Sequence, residues 1–452
     1  MLSAGLAIWL QIPHLTDVYP KNGAENISAG EPLRLVFSHP MDTNSVMAHL
    51  EIEPFLTGKS AWQGNTYIFQ PDQPWQNNTT YHIRLTKGVR SNGWLNLTIK
   101  QDKRWSFTIE DPLLAYLYPA TGISQVYTID PANGEQNQIT NVTGGIMDFC
   151  ASQNGATLYY SLDLGANHSA IYRLDRASGK STLMIDCPQA LCQVPQVSPQ
   201  NDYLAYERTP LSQSDQAGKT QVWIAALPAE GSASENELPK SILVADPDYQ
   251  TQQPAWSSKG TLAYYDHSLS SYIVQTPEGS ELARFPSETG QAGDWDAQGE
   301  SFIFPEFFIS PQTSSSLSDL NPIPSSHLWR YFLDDNKPMD LTVMDYLEDS
   351  APVFSLDGKW LVFARKYLDT VRWTPGRQIW ILPLEGKEAY PITDEPLYNH
   401  YGFTWSPNSQ LIAYIRFYQA TMTDPPEIWV TNIDGSSQYL LVRNGYAPQW
   451  IP

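Results

Sequence analysis

Residues 402–416 read GFTWSPNSQLIAYIR, and this stretch decides the fold. An aromatic anchor, Trp405, closes one apolar run. SPNSQ supplies turn residues, and LIAYIR is a second run rich in β-branched and aromatic side chains, so the stretch predicts a β-hairpin. The pattern recurs upstream as APVFSLDGKWLVFAR (351–365), GDWDAQGESFIFPE (293–306), QPAWSSKGTLAYYD (253–266), VPQVSPQNDYLAYER (194–208) and MDFCASQNGATLYYS (147–161). Anchors therefore fall at Phe149, Val197, Trp256, Trp295, Phe354 and Trp405, with a half copy, APQWIP, placing a last one at Trp450. Intervals of about 40 to 60 residues are the spacing of a repeated supersecondary unit.

Each hairpin is followed by a third run carrying an aromatic. These aromatics are Tyr127, Tyr172, Trp223, Tyr272, Trp329, Trp380 and Trp429. A fourth run often follows a glycine turn, as in DRASGKSTLM (175–184), LEGKEAYPIT (384–393) and NIDGSSQYLL (432–441). The first unit, from Leu113, lacks a first strand, and the C-terminus has a first strand with nothing after it. If that strand completes the first unit, two aggregation-prone edges disappear. The expectation is all-β: a seven-bladed β-propeller closed by the C-terminal strand, spanning 111–452.

The repeats resemble the WD40-like (PD40) repeats of TolB-type propellers, most closely at Pro352–Phe363 and Trp405–Tyr414. The resemblance implies the fold from about Leu113 onward and says little about activity. TolB propellers have six units, so TolB's role is not carried over. Residues 16–110 lack the repeat and carry short alternating runs, LRLVF, NTYIFQP, YHIRL and RWSFTI. They predict a small β-sandwich. Through VYPKNGAENI (18–27), FSHPMD (37–42), NTTYHIRL (78–85) and GVRSNGWLNL (88–97) the module resembles the bacterial Ig-like domains of SbsA-type surface proteins, which implies a spacer or adhesive role in a bacterial cell envelope. Residues 1–15 read as a truncated signal- or anchor-like segment. Its apolar run is shorter than the ~20 residues that span a bilayer.

Composition narrows the function. The 452-residue chain carries a formal net charge of −21, which repels phosphate backbones, so nucleic acid is not an expected partner. A membrane enters only through an N-terminal anchor. Cys187 and Cys192, in CPQALC, are close enough to close a small disulfide loop in an oxidising compartment, and Cys150 sits in an apolar run as a buried thiol.

No GxSxG, HExxH or GxGxxG motif occurs, and GKST (179–182) and SLDGKW (355–360) both align with repeat turns. The acid pairs Asp294/Asp296, Asp334/Asp335 and Glu348/Asp349 read as solvated loop acids and not as a calcium or glycosidase site. No cofactor or metal is expected, calcium being chemically possible at such acids but supported by no motif.

In an up-and-down blade, the turns joining strands one to two and three to four share one end, and here they are short. The other end collects the strand two-to-three and blade-to-blade connections. Among them, 208–220, 308–326, 366–377 and 417–426 are long and irregular. Long loops on a rigid scaffold carry specificity. Candidate contacts at that end are Asp248, Tyr249, Asp349, Trp373, His400 and Tyr446. The expectation is a non-catalytic, extracytoplasmic protein binding a protein or glycan at the cell surface. The alternatives are a polysaccharide lyase or glycosidase with its site at the channel mouth, and an architectural subunit of a surface layer or filament.

Overall fold

The computed structural model describes residues 12–24, 27, 31–72, 75–92, 96–212, 214, 216–228, 238–308, 325–335, 337–386, 388–421 and 423–451. The signal-like reading of residues 1–11 lies outside them, as do 309–324 of one expected binding loop and single positions of two others. The chain divides into two compact units, with the boundary between Pro112 and Leu113.

The first unit is a two-sheet β-sandwich. One sheet has the order Leu15–Tyr19, Leu33–Phe37, Thr66–Pro71, Gly58–Gln63, and the other Leu50–Glu53, Thr79–Leu85, Lys103–Ile109. Alternation along Leu33–Phe37 and Thr79–Leu85 sends Leu33, Leu35, Phe37, Tyr81, Ile83 and Leu85 into one core. Trp75 packs edge-on to Tyr81 and Phe107, and its indole N–H donates to the Glu31 carbonyl at 2.6 Å. One helix, Thr43–His49, was not anticipated from the sequence. Asp42 caps it, accepting from the Ser45 N–H at 2.7 Å.

Among the described residues, the second unit holds three four-stranded sheets and two eight-stranded ones, each of the latter being two four-stranded antiparallel meanders joined by one parallel pairing. In chain order, their first strands are Tyr446–Ile451 (meander 1), Ile146–Ala151 (2), Ala190–Val197 (3), Thr251–Trp256 (4), Asp294–Trp295 (5), Leu347–Phe354 (6) and Tyr398–Trp405 (7). Meander 1 is assembled from both ends of the unit. Tyr446–Ile451 pairs with Leu113–Tyr118, aligning Trp450 with Leu114 and Ile451 with Leu113. Single parallel pairings, His168 with Ala190 and Ser326 with Glu348, link meanders 2 to 3 and 5 to 6. First strands pack against first strands in chain order, and Tyr398–Trp405 packs against Tyr446–Ile451.

Three local devices repeat. A serine ends most first strands: Ser152, Ser198, Ser257, Ser355 and Ser406. Its N–H donates across the hairpin, and its hydroxyl accepts the N–H of the residue opposite, all at 2.8–3.1 Å. The SPNSQ-type turn is thereby closed from inside by a buried polar group whose bonds are made.

The second device is the indole tie. Trp256, Trp295, Trp405 and Trp450 donate Nε1–H to the carbonyls of Gln196, Ala255, Val353 and Thr404, each on the first strand of the preceding meander, at 2.9–3.1 Å. Meander 6 has Phe354 at this position and no indole to donate. There the Asp294 carboxylate of meander 5 accepts the Phe354 N–H at 2.7 Å instead.

The third device is a bulge. Val194, Gln253, Ala351 and Ala447 take φ of 50°, 60°, 51° and 50°, and each precedes a proline; Gly402, at 63°, precedes Phe403. The strand register shifts at each of these positions. A left-handed residue swings the strand out of the ladder and back again, so the strand continues N-terminal to its proline.

The expected Cys187–Cys192 disulfide is formed, with Cα atoms 6.2 Å apart, and Cys150 is a buried free thiol. The disulfide ties the last strand of meander 2, Lys180–Pro188, to the first strand of meander 3 across the tight turn at Gln189. With a sequence separation of only 5, the entropic gain from closing the loop is small. The Cys187→Ser, Cys192→Ser double variant is expected to lose about 2 kcal/mol of stability, read as a lower urea midpoint at unchanged m-value.

Candidate functional site

The strand ends at the long-loop end of meanders 5, 6 and 7 carry charged side chains that are neutralised locally. Arginine occupies the same position of the second strand in three meanders, as Arg208, Arg365 and Arg416, and each lies over the third-strand tryptophan: Trp223 at 5.5 Å, Trp380 at 4.7 Å and Trp429 at 3.8 Å. Arg365 holds Asp349 through two bonds, 2.7 and 2.8 Å, with both side chains buried. Arg416 lies between the rings of Tyr398 and Trp429, 4.1 and 3.8 Å from their centres. It bonds Glu395 through Nη1 and Glu427 through Nε and Nη2. Arg443 and the Trp429 indole also donate to Glu427, at 2.7 and 2.8 Å.

Two buried histidines fix the connections beside this network. His400 places Nδ1 2.7 Å from the Arg377 carbonyl and Nε2 3.2 Å from Glu395. His327 places Nδ1 2.7 Å from Asp340 and Nε2 2.8 Å from the Met344 carbonyl, and it stacks on Phe308. Burial alone pulls the His327 pKa down. The hydrogen bond and charge of Asp340, helped by the Met344 carbonyl, outweigh burial and raise it above the ordinary value. A raised folded-state pKa stabilises the fold fully below the unfolded value and is lost as pH climbs through the folded one. The urea midpoint of the wild type is therefore expected to fall, relative to His327→Phe, as pH is raised from about 6.5, the ordinary imidazole value. Parallel curves for the two proteins between about pH 6 and pH 9 would count against this role for His327.

The six candidate contacts stand at the same end of their sheets, and no hydrogen bond, ion pair or ring contact joins any two of them. Two require correction. Asp349 and His400 are not loop contacts: both lie on first strands and are fully buried, because the bulges at Ala351 and Gly402 carry those strands further than expected. Trp373 is 54 % exposed in the connection after the second strand of meander 6, with the Lys366 ammonium 4.9 Å over its ring. Tyr446 begins the closing strand, half-buried, its hydroxyl 3.4 Å from the Met147 carbonyl. Asp248 is exposed and Tyr249 half-buried in the crossover to meander 4, where the Asp248 carbonyl accepts from Lys219 at 2.6 Å.

The acid pairs do not act as pairs. Asp296 bonds Arg330 at 2.8 Å and Ser301 at 2.6 Å. Asp294 is pushed up to about 7 by burial. Glu348 bonds Arg377, and Asp335 lies 3.3 Å from Lys337. Among the described residues, no three His, Cys, Asp or Glu side chains stand close enough to hold a metal ion, and no helix is long and apolar enough to cross a membrane.

The residues missed from sequence line a cleft of about 300 Å³ on meander 7, between Tyr398, Arg416, Phe417, Tyr418, Asp424, Pro425, Glu427 and Arg443. Its signal was in the repeats, whose copies end in YER, FAR and YIR.

Residues 11–109 match the bacterial Ig-like domain family. No curated protein sequence matches the chain. Among solved structures, the chain is similar to TolB from Acinetobacter baumannii, at 12 % identity over 89 % of this chain and 83 % of that one, with a TM-score of 0.44. The β-propeller domain of the Trilobed protease from Pyrococcus furiosus gives 13 %, 67 %, 84 % and 0.47 in the same order. An oligogalacturonate lyase in complex with manganese gives 10 %, 90 %, 98 % and 0.48. The N-terminal module is thus a bacterial Ig-like domain, and the structural neighbours of the chain are TolB and other β-propeller proteins.

Proposed function

We propose that Leu113–Ile451 is a seven-bladed propeller closed by its last strand, and that its long-loop end binds a protein or glycan partner outside the bacterial cytoplasm without catalysing a reaction. The Ig-like module would serve as spacer or anchor. Pairing of Tyr446–Ile451 with Leu113–Tyr118, and the chain-order packing of the first strands, support the ring. A disulfide supports an oxidising compartment.

The observation that carries the binding reading is the contrast at one end of blades 5 to 7. The charged groups there are largely paired off, while large apolar side chains are left in solvent. Val343, Tyr346, Val371, Trp373, Leu397 and Tyr401 are all exposed, Val371 at 91 %. Val343, Tyr346, Val371, Trp373 and Leu397 come from connections at that end and Tyr401 from the first strand of blade 7, and large apolar side chains exposed at one end of a domain support an interaction site. The test is retention of the native partner from the envelope fraction on immobilised full-length chain. Trp373→Ala with Tyr446→Ala is expected to reduce it at least about tenfold. Unchanged retention by a folded double variant would overturn the reading.

A further inference from the structure

We propose that the cleft on blade 7 takes a ring of a neutral oligosaccharide. This rests on the reading above, that this end of the propeller binds a partner, and names one subsite and its chemistry. The cleft is about 300 Å³, the lower end of small-molecule sites and room for a sugar ring. Tyr398, Phe417 and Tyr418 supply aromatic walls, and Pro425 adds an apolar edge. The floor is prebuilt. Arg416 is held between two rings and by two carboxylates, so its guanidinium is immobilised before any ligand arrives.

The rim supplies free polar groups. Arg443 is 74 % exposed at its side chain and bonds Glu427 through Nη1, which leaves its other donors facing solvent. Asp424 is exposed, with Oδ2 accepting from Thr421 at 2.7 Å and no donor to Oδ1 among the described residues.

A pyranose has an apolar C–H face and a rim of adjacent hydroxyls that both donate and accept. Aromatic walls suit the first, and a carboxylate opposite a guanidinium suits the second. Charge selects among sugars. Two arginines and two acids line the cleft, and Glu395 lies beneath Arg416, so the site is net negative and an anionic ligand meets more repulsion than attraction. Tyr414 adds a buried hydroxyl with no partner among the described residues, close to Glu395, Arg416 and Glu427, spare polar capacity in the same network.

The test is calorimetric titration of the full-length chain with cellotetraose and chitotetraose, with tetragalacturonate as the anionic comparison. At least one neutral tetrasaccharide is expected to bind more tightly than tetragalacturonate. Asp424→Ala and Arg443→Ala should each weaken that binding by about tenfold or more at unchanged melting temperature. Lys259→Ala, an exposed change in a strand one-to-two turn, should leave it unaltered. The proposal is overturned if neither neutral sugar binds below on the order of 10 mM, if the anionic sugar binds better, or if both cleft variants bind as the wild type does. Partner retention that still depends on Trp373 after such a failure would sink the cleft alone. Sugar binding without any Trp373-dependent partner would leave the cleft standing and narrow the wider reading to a glycan.

Discussion

A chain truncated after Asn444 is expected to lose the cooperative unfolding of the propeller unit and to aggregate on purification. The missing strand does three things at once. It pairs with Leu113–Tyr118. Its Trp450 indole reaches the Thr404 carbonyl at 3.1 Å, and its Gln449 side chain accepts the Ala151 N–H of the blade on the other side at 3.1 Å. It also buries Ile451 completely. Deleting it opens a sheet edge on Leu113–Tyr118 and strips a packing face from two neighbours, which is the geometry that templates strand pairing between molecules. Trp450→Ala alone should cost about 3–5 kcal/mol, a large part of the roughly 5–15 kcal/mol that holds a typical domain. Size-exclusion chromatography and a melting curve read the outcome. A monomeric truncated chain with wild-type melting would undo ring closure, and with it the assignment of a working end.

Asp349→Ala should destabilise nearly as much, by about 3–5 kcal/mol, because it strands the buried Arg365 guanidinium without its counter-charge. Arg365 lies 4.7 Å from the Trp380 ring centre and 5.0 Å from that of Phe363, so water cannot readily replace the lost carboxylate. The pair itself contributes far less than its rupture costs. Burial raises the Asp349 pKa despite the Arg365 bonds, so desolvation consumes much of the attraction. The double variant Asp349→Leu, Arg365→Met is therefore expected to recover most of the loss, since both side chains leave together and the site stays filled. Urea midpoints of the two singles and the double complete the cycle. A double variant as unstable as the worse single would show that the site needs the ions and not just their cancellation.

Much of the architecture was legible because the repeat is a packing unit. Trp256, Trp295, Trp405 and Trp450 stand out in sequence, and the same rings make the ties between blades. The SPNSQ and SLDGK turns are visible because the buried serine that fastens them precedes the turn residues.

What escaped is the bulge. A proline two residues before the anchor reads as the start of a strand, whereas the left-handed residue before it lets the strand run on toward the long-loop end. Asp349 and His400 were consequently placed in loops, although they are core residues of blades 6 and 7. The cleft was missed for a related reason. Arg416, Glu427 and Tyr398 are far apart in sequence and meet only when second, third and first strands align at one end. The helix Thr43–His49 was hidden by its brevity, with only the Asp42 cap to announce it.

The indole ties have a direction. Each runs from a blade to the one before it, and none of the four runs the other way. Each bond restrains both of the strands it joins, so in the proposed ring every tie is a seam shared by two blades. Loosening one anchor slackens the two blades at that seam and leaves the other ties in place. With Trp405→Phe, amide exchange should quicken on both strands this tie joins, around Val353 and around residue 405, while the Trp450 bond to Thr404 persists and confines the disturbance to that one seam.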